Sequence, residues 1–198
     1  MRFVTTICLA IAALGCANCV SRKPIHYYAI QPASRPASAE SSNGLILLVG
    51  NIVAPEALQD SRIRYRIGAN EAGAYEYHRW IERPSSMVRN SLVRALRVSG
   101  KYQRVIETGS TAPCDYLVRG KLYEFGEVDD AAIQTKISLQ VELVDWKTNR
   151  IVWDRLAERE EPVTSKNVMD VVQSLDRNLQ RMISDTAAEI DKFIAVQR

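Results

Sequence analysis

The residues best suited to chemistry in this 198-residue sequence are its few cysteines and histidines. The cysteines are at positions 8, 16, 19 and 114, and the two histidines are His26 and His78. Cys16 and Cys19 have the C-x-x-C spacing of a redox pair, but such a motif should follow a strand and open a helix. Here both cysteines lie in the N-terminal leader and tether, so we interpret the spacing as a coincidence.

Familiar catalytic motifs are missing from the sequence, which has no G-x-S-x-G, H-E-x-x-H, P-loop or G-x-G-x-x-G pattern. Neither histidine has a partner at a motif spacing. The acidic doublets Asp129-Asp130 and Glu160-Glu161 fall at predicted turns or strand ends. We therefore expect no enzyme, no cofactor and no metal site. Because 26 Lys and Arg nearly balance 23 Asp and Glu, leaving a net charge of only +3, we also expect no nucleic-acid partner.

The N-terminus has the features of a secretory signal. Arg2 precedes an apolar run from Phe3 to Leu14, which is shorter than the about 20 residues that a membrane-spanning helix needs. Ala13-Leu14-Gly15-Cys16 then resembles a bacterial lipobox, in which the thiol accepts diacylglycerol. This predicts a lipoprotein signal peptide over residues 1–15 and a lipid attachment site at Cys16, with palmitate among its acyl chains. An ordinary secretory signal with an incidental cysteine is the alternative.

Residues 16–25 are predicted to be a lipidated tether. A cysteine that carries several acyl chains is stably anchored. The residue after Cys16 is Ala17 and not Asp. By resemblance to lipoprotein sorting rules, this favours the outer membrane over the inner membrane. From Cys16 to Tyr27 the chain can span no more than roughly 40 Å. The expected location is the periplasmic face of a Gram-negative outer membrane, with the protein held close to its anchor.

Residues 26–198 have the pattern of a single α+β domain, an antiparallel sheet with two main helices packed on it. Pro84 and Gly100 delimit one predicted helix, and an apolar stripe over 168–196 predicts the other. The last three strands are joined by short links and must form an antiparallel meander. The apolar run 45–53 is expected to be buried on both faces, and Trp80 and Trp153 are expected to be core anchors. The predicted strands are 26–30, 45–53, 62–69, 74–78, 102–107, 116–128, 133–144 and 151–157.

Charge is unevenly distributed along the chain. Residues 62–104 carry a net charge of +7, and residues 105–198 carry −5. The basic block includes Arg62, Arg64 and Arg66, which alternate with apolar residues along one predicted strand, so its charges could lie on one region of the surface. Three interpretations remain open: a solvated face, contact with anionic lipid headgroups, or head-to-tail attraction between copies of the chain.

The order of these features resembles that of the ABC-type transport auxiliary lipoproteins, the PqiC-like family. It departs from that family at Ala13, which begins the lipobox, and at Ile30, where Leu is usual. The matching segments are the Cys16 leader, Tyr27-Tyr28-Ala29-Ile30, Arg64-Tyr65-Arg66, Arg79-Trp80 followed by Pro84, Gly100-Lys101-Tyr102, Asp115-Tyr116-Leu117-Val118-Arg119-Gly120, Val144-Asp145 and Ile151-Val152-Trp153.

The resemblance implies an auxiliary subunit of an Mce-type lipid transport system. Its expected partners are an Mce-family protein that bridges the periplasm and an ABC permease and ATPase in the inner membrane. The lipoprotein would dock or position the bridge at the outer membrane for lipid traffic and envelope integrity, and copies could assemble into a ring. Two other interpretations stay open: an unrelated envelope-assembly or secretion-system lipoprotein that acts as a binding module, and a soluble periplasmic enzyme.

Overall fold

The computed structural model describes residues 23–31, 42–110 and 112–197, and in these residues one eight-stranded sheet carries two α-helices on one face. A short 3-10 helix, Glu56–Leu58, lies between the second and third strands. The strands are β1 His26–Tyr28, β2 Ile46–Val53, β3 Arg62–Ile67, β4 Glu71–Trp80, β5 Arg104–Glu107, β6 Tyr116–Asp129, β7 Ile133–Asp145 and β8 Arg150–Pro162, and the helices are α1 Pro84–Val98 and α2 Val168–Val196.

The meander of β6, β7 and β8 is antiparallel, as predicted, and so the α+β fold class is confirmed. Alternate residues of β7 face α2, which Thr135 shows directly: its hydroxyl lies 2.9 Å from that of Ser174. The β7 residues in phase with Thr135 are almost fully buried, namely Ile137, Leu139, Val141 and Leu143. One face of the meander therefore packs against α2, and the core lies between them.

Parallel pairings, which the sequence pattern did not indicate, join the remaining strands to β6. β7 occupies one edge of β6 over its whole length. On the other edge β2 pairs with residues 116–121, and β3 pairs with Gly126–Asp129. Gly126 permits the second pairing, because a Cβ atom there would lie 2.6 Å from the carbonyl oxygen of Arg64. Two strands thus follow one another along a single edge.

The ends of the helices follow from local sequence. α1 begins at Pro84, whose missing N–H is not needed in a first turn, and it is followed by Gly100 at φ +68°. The side chain of Asn167 caps α2 by accepting a 3.0 Å hydrogen bond from the Met169 N–H. α1 packs on β2 and β5, and α2 packs on β7 and β8. Both predicted helices are confirmed at these positions.

The expectation that β2 is buried on both faces is wrong. Leu47, Val49 and Ile52 are buried, but Leu48 is half-buried and Val53 is 57% exposed. The reason is that both helices cover the same face of the sheet, so the apolar residues on the other face keep contact with solvent.

The tryptophan expectation is confirmed for Trp80. Its ring is 1% exposed and packs edge-on against Phe125 with 5.7 Å between the ring centroids. Trp153 is only half-buried, at the margin of the core. Trp80 is therefore the aromatic anchor of the core, and Trp153 closes its edge.

An aromatic cluster holds the three-residue strand β1 on β4. The rings of His26 and His78 stack with centroids 5.2 Å apart, and the Tyr28 hydroxyl lies 2.8 Å from Nδ1 of His78. Tyr75 approaches His78 edge-on and donates a 2.6 Å hydrogen bond to Glu127. The parallel register of β1 with β4 brings His26 and Tyr28 to His78, and this register cannot be read from the spacing of these residues along the chain.

The cluster predicts that acid weakens the docking of β1. Burial, assisted by His26, lowers the pKa of His78 in the folded protein. Above about pH 6.5, the ordinary value, His78 is neutral in both folded and unfolded states. Below it the unfolded state takes up the proton more readily, so the free energy of unfolding falls. Urea unfolding between pH 7.5 and pH 5 should show a smaller loss of stability for His78→Gln than for the wild type. Equal losses would contradict this account.

Candidate functional site

The predicted lipid attachment site, Cys16, lies outside the described residues, as do the signal peptide and residues 16–22 of the tether. The described chain starts at Lys23, and residues 23–25 are exposed and lead into β1. The ammonium group of Lys23 lies 5.6 Å from the centre of the Tyr77 ring on β4. An anchor at Cys16 would therefore meet the domain through β1, the last strand at its edge of the sheet.

Strand directions place this point of attachment away from the turn between β7 and β8. β1 is parallel to β4, β4 is antiparallel to β3, and β3 is parallel to β6. The chain preceding β1 therefore lies towards the C-terminal half of β6. The β7–β8 turn lies beyond the N-terminal end of β6, where Tyr116 pairs with Asp145.

Three apolar side chains at the β7–β8 turn are exposed. Trp146 and Ile151 are each 50% exposed, and Val152 is 38% exposed. We call this group the distal patch. Trp146 lies in the turn, and Ile151 and Val152 lie at the start of β8, so the three are brought to one end of the sheet. An exposed tryptophan there is a candidate for a protein contact, because tryptophan is enriched among the residues that dominate binding energy.

Besides the distal patch, a second candidate site is the cleft between β2 and β3, the two strands that share an edge of β6. β2 pairs with β6 as far as Lys121 and β3 resumes at Gly126, so residues 122–125 have no partner strand on that edge in the described part of the chain. A cleft of about 360 Å³ lies here, beside the link that contains the 3-10 helix. We call it the β6 cleft; its lining includes Pro55, Ala57, Arg64, Arg66, Tyr123 and Lys136.

Three cationic side chains share the helix-free face at this cleft. Arg64 pairs in register with Gly126, which pairs with Lys136, and Arg66 lies two residues beyond Arg64. Residues in register across neighbouring strands point to the same face. The side chains are partly buried, with 24%, 31% and 22% exposure for Arg64, Arg66 and Lys136. The cleft wall therefore carries three cationic side chains, and Glu124 and Glu127 line it as well.

Each of these cations has a carboxylate partner. Arg64 lies 3.0 Å from Asp60, and Lys136 lies 3.2 Å from Glu124. Partial burial would raise the pKa of Asp60, but hydrogen bonds from Arg62 and the charge of Arg64 lower it overall. The hydrogen bond with Glu124 raises the pKa of Lys136. Asp60 and Lys136 are thus charged at neutral pH.

The predicted single basic region does not form. The arginines at the cleft lie on the helix-free face, whereas those of α1 lie on the other side of the sheet, where Arg97 contacts Glu107 at 2.9 Å and Arg89 contacts Asn51 at 3.3 Å. The sheet divides the basic block between its two faces, because β3 and α1 are neighbours in sequence but not in the fold.

One signal in the sequence marks the cleft. A regular strand would place Leu122 and Phe125 on opposite faces, yet both are buried in the same core, and a β-bulge between Leu122 and Glu124 makes this possible. An apolar spacing of three within an alternating strand indicates such a bulge. The contribution of Lys136 had no comparable signal, because it depends on the register of β7.

Within the described ranges, no three His, Cys, Asp or Glu side chains are grouped as a metal site would require. In the same part of the chain, no helix is both long and apolar enough to cross a membrane.

Known structures share the fold. The protein XCC0632 from Xanthomonas campestris is similar with a TM-score of 0.77 and 22% identity, over 86% of this chain and 96% of that chain. An uncharacterized protein matches with a TM-score of 0.65 and 16% identity, over 85% and 99%. The hypothetical protein CT253 from Chlamydia trachomatis matches with a TM-score of 0.53 and 11% identity, over 77% and 99%. At these identities the similarity concerns the fold alone.

No curated protein matches the sequence. The family model of the ABC-type transport auxiliary lipoprotein component, however, matches residues 28–187, from β1 to well within α2. The match covers most of the chain, including the distal patch and the β6 cleft but not Cys16, and it agrees with the resemblance seen in the sequence. The chain therefore belongs to the ABC-type transport auxiliary lipoprotein family.

Proposed function

We propose that this protein is anchored to the periplasmic face of the outer membrane through acylated Cys16. There it acts as the auxiliary subunit of an Mce-type lipid transport system. In this system it docks an Mce-family protein that bridges the periplasm from an ABC permease and ATPase in the inner membrane. The observation that carries the proposal is the family match over residues 28–187, which begins shortly after a lipobox-like sequence. Such docking would support lipid traffic and the integrity of the envelope.

The direction of the sheet supports this arrangement. The anchored chain would reach the domain at β1, and the distal patch lies beyond the opposite end of β6. A partner that crosses the periplasm approaches from the side away from the outer membrane. Because the tether holds the domain near one membrane, even a weak contact gains from a high effective concentration.

The anchor is tested by the intact mass and membrane fractionation of the wild type and Cys16→Ser. The wild type should begin at Cys16, carry the added mass of its acyl chains and fractionate with the outer membrane. The variant should lose that mass, because serine has no thiol to accept diacylglycerol. Cys19→Ser is the matched control and should behave as the wild type. An unlipidated wild-type chain that is cleaved elsewhere would contradict the anchor.

Docking through the distal patch is tested with Trp146→Ala. Truncation of an anchoring tryptophan costs binding free energy of at least about 2 kcal/mol, which is roughly thirtyfold in affinity. Co-purification with the Mce-family protein should fall accordingly. Tyr27→Ala is the matched control, because Tyr27 is 62% exposed but lies at the β1 edge. If both variants lost co-purification equally, or neither lost any, docking through the distal patch would be contradicted.

We also propose that copies assemble head to tail into a ring, through attraction between the β3 arginines Arg62, Arg64 and Arg66 of one copy and acidic residues of the segment 105–198 of the next. Changing Arg62, Arg64 and Arg66 together to glutamate should shift the protein to smaller species in size-exclusion chromatography. High salt should do the same to the wild type, because it screens the charges. Circular dichroism checks that the variant is folded. Folded variant protein with unchanged oligomers would contradict the proposal.

A further inference from the structure

We propose that the β6 cleft binds a single-chain anionic amphiphile. Its charged head would lie at Arg64, Arg66 and Lys136, and its chain would lie against Pro55, Ala57 and Tyr123. Binding at the cleft depends on its geometry and charge, and it does not require that the protein docks an Mce-family partner.

The volume of the cleft limits the size of the occupant. Its 360 Å³ is near the lower end of the about 300–1,000 Å³ that is usual for ligand sites. At about 30 Å³ for each water molecule in the liquid, the space corresponds to about a dozen molecules, or a similar number of non-hydrogen atoms. This accommodates a carboxylate with a chain of about nine carbons, or a phosphate with a chain of about eight. It excludes the whole of a lipid with two long chains.

The lining combines charge with apolar surface. Pro55, Ala57 and Tyr123 are exposed at the cleft, so contact with a hydrocarbon chain would remove apolar surface from water. Arg64 and Arg66 stand on the adjoining strand β3. A ligand with both a chain and an anionic head satisfies both parts of the wall, and a purely polar anion or a neutral hydrocarbon satisfies only one.

The ion pairs already present leave room for such an anion. Asp60 is 38% exposed and also pairs with Arg62 at 2.7 Å, so it keeps a partner if Arg64 turns to another anion. Asp130 is 45% exposed, more than the Arg66 that it partners. The separation between Arg66 and Asp130 is long, at 3.8 Å. A carboxylate that is well hydrated can be released by its arginine at little cost, so an incoming anion can replace it.

Arg64 retains a donor that no described residue satisfies. Its Nε atom is buried and has no hydrogen-bond acceptor in the described part of the chain, and a buried unsatisfied donor is unfavourable. The neighbouring edge of β6 at residues 122–125 also has no partner strand there. Anion oxygens at the cleft would supply acceptors at the place where the fold provides none.

The test uses the full-length protein in a neutral detergent, with protein-free detergent as the blank in equilibrium dialysis. Four probes separate the contributions: decanoate, octyl phosphate, decanol and inorganic phosphate. Decanoate and octyl phosphate, which are similar in size, should bind, whereas decanol, which lacks the charge, and inorganic phosphate, which lacks the chain, should not. Tighter binding of decanoate than of octyl phosphate would identify a carboxylate head, and the reverse order a phosphate head.

Two substitutions address the cleft itself. Arg66→Gln should weaken decanoate binding about tenfold or more, because it removes a charged hydrogen-bond donor. Ala72→Phe fills the cleft from an exposed position in its lining and should abolish binding. Arg119→Gln is the matched control: it removes an exposed arginine of β6 that pairs with Glu142 at 2.7 Å outside the cleft.

The proposal is overturned if decanol binds as tightly as decanoate, or if Arg66→Gln and Arg119→Gln bind decanoate equally well. Circular dichroism and urea unfolding establish that each variant is folded. If Ala72→Phe does not fold, the comparison of Arg66→Gln with Arg119→Gln decides the question alone.

Discussion

The pairing of β6 with three other strands organises this fold. β7 takes one whole edge of β6, and β2 and β3 follow one another along the other edge. β5 pairs with β2, while β4 and then β1 extend outward from β3. The sheet thus has two branches on that side, and between them lies the β6 cleft. The bulge near Leu122 and the close approach at Gly126 let a single strand serve both branches.

The local parts of this architecture could be predicted from the sequence. Strict alternation in β7, short links in the meander and the apolar stripe of α2 each depend on neighbours in the chain, and the structure has all three. The parallel pairings of β2 and β3 could not be predicted, because nothing in either strand specifies which edge of β6 it takes. The stacking of His26 with His78 was missed for the same reason, since it depends on the register of β1 with β4.

The candidate sites also combine features that are visible in the sequence with features that depend on how distant strands pair. The alternating arginines of β3 were visible in the sequence, but their separation from the basic residues of α1 required the three-dimensional order of the elements. Lys136 joins Arg64 only because β6 lies between β3 and β7. The family assignment links this geometry to transport, and the direction of β1 relative to β6 separates the edge at which the described chain begins from the distal patch. That edge, the β6 cleft and the distal patch are therefore three distinct places on one sheet, and the proposed anchor would meet the domain at the first of them.

Amide hydrogen exchange along β6 tests the two-branched sheet most directly. Among the β6 amides that point away from β7, those within 116–121 and 126–129 should exchange slowly, because β2 and β3 accept their hydrogen bonds. Those within 122–125 on the same edge should exchange much faster, because no strand among the described residues covers them. Uniformly slow exchange along this edge would contradict the account, since it would mean that the edge is continuously paired and that no cleft separates the branches.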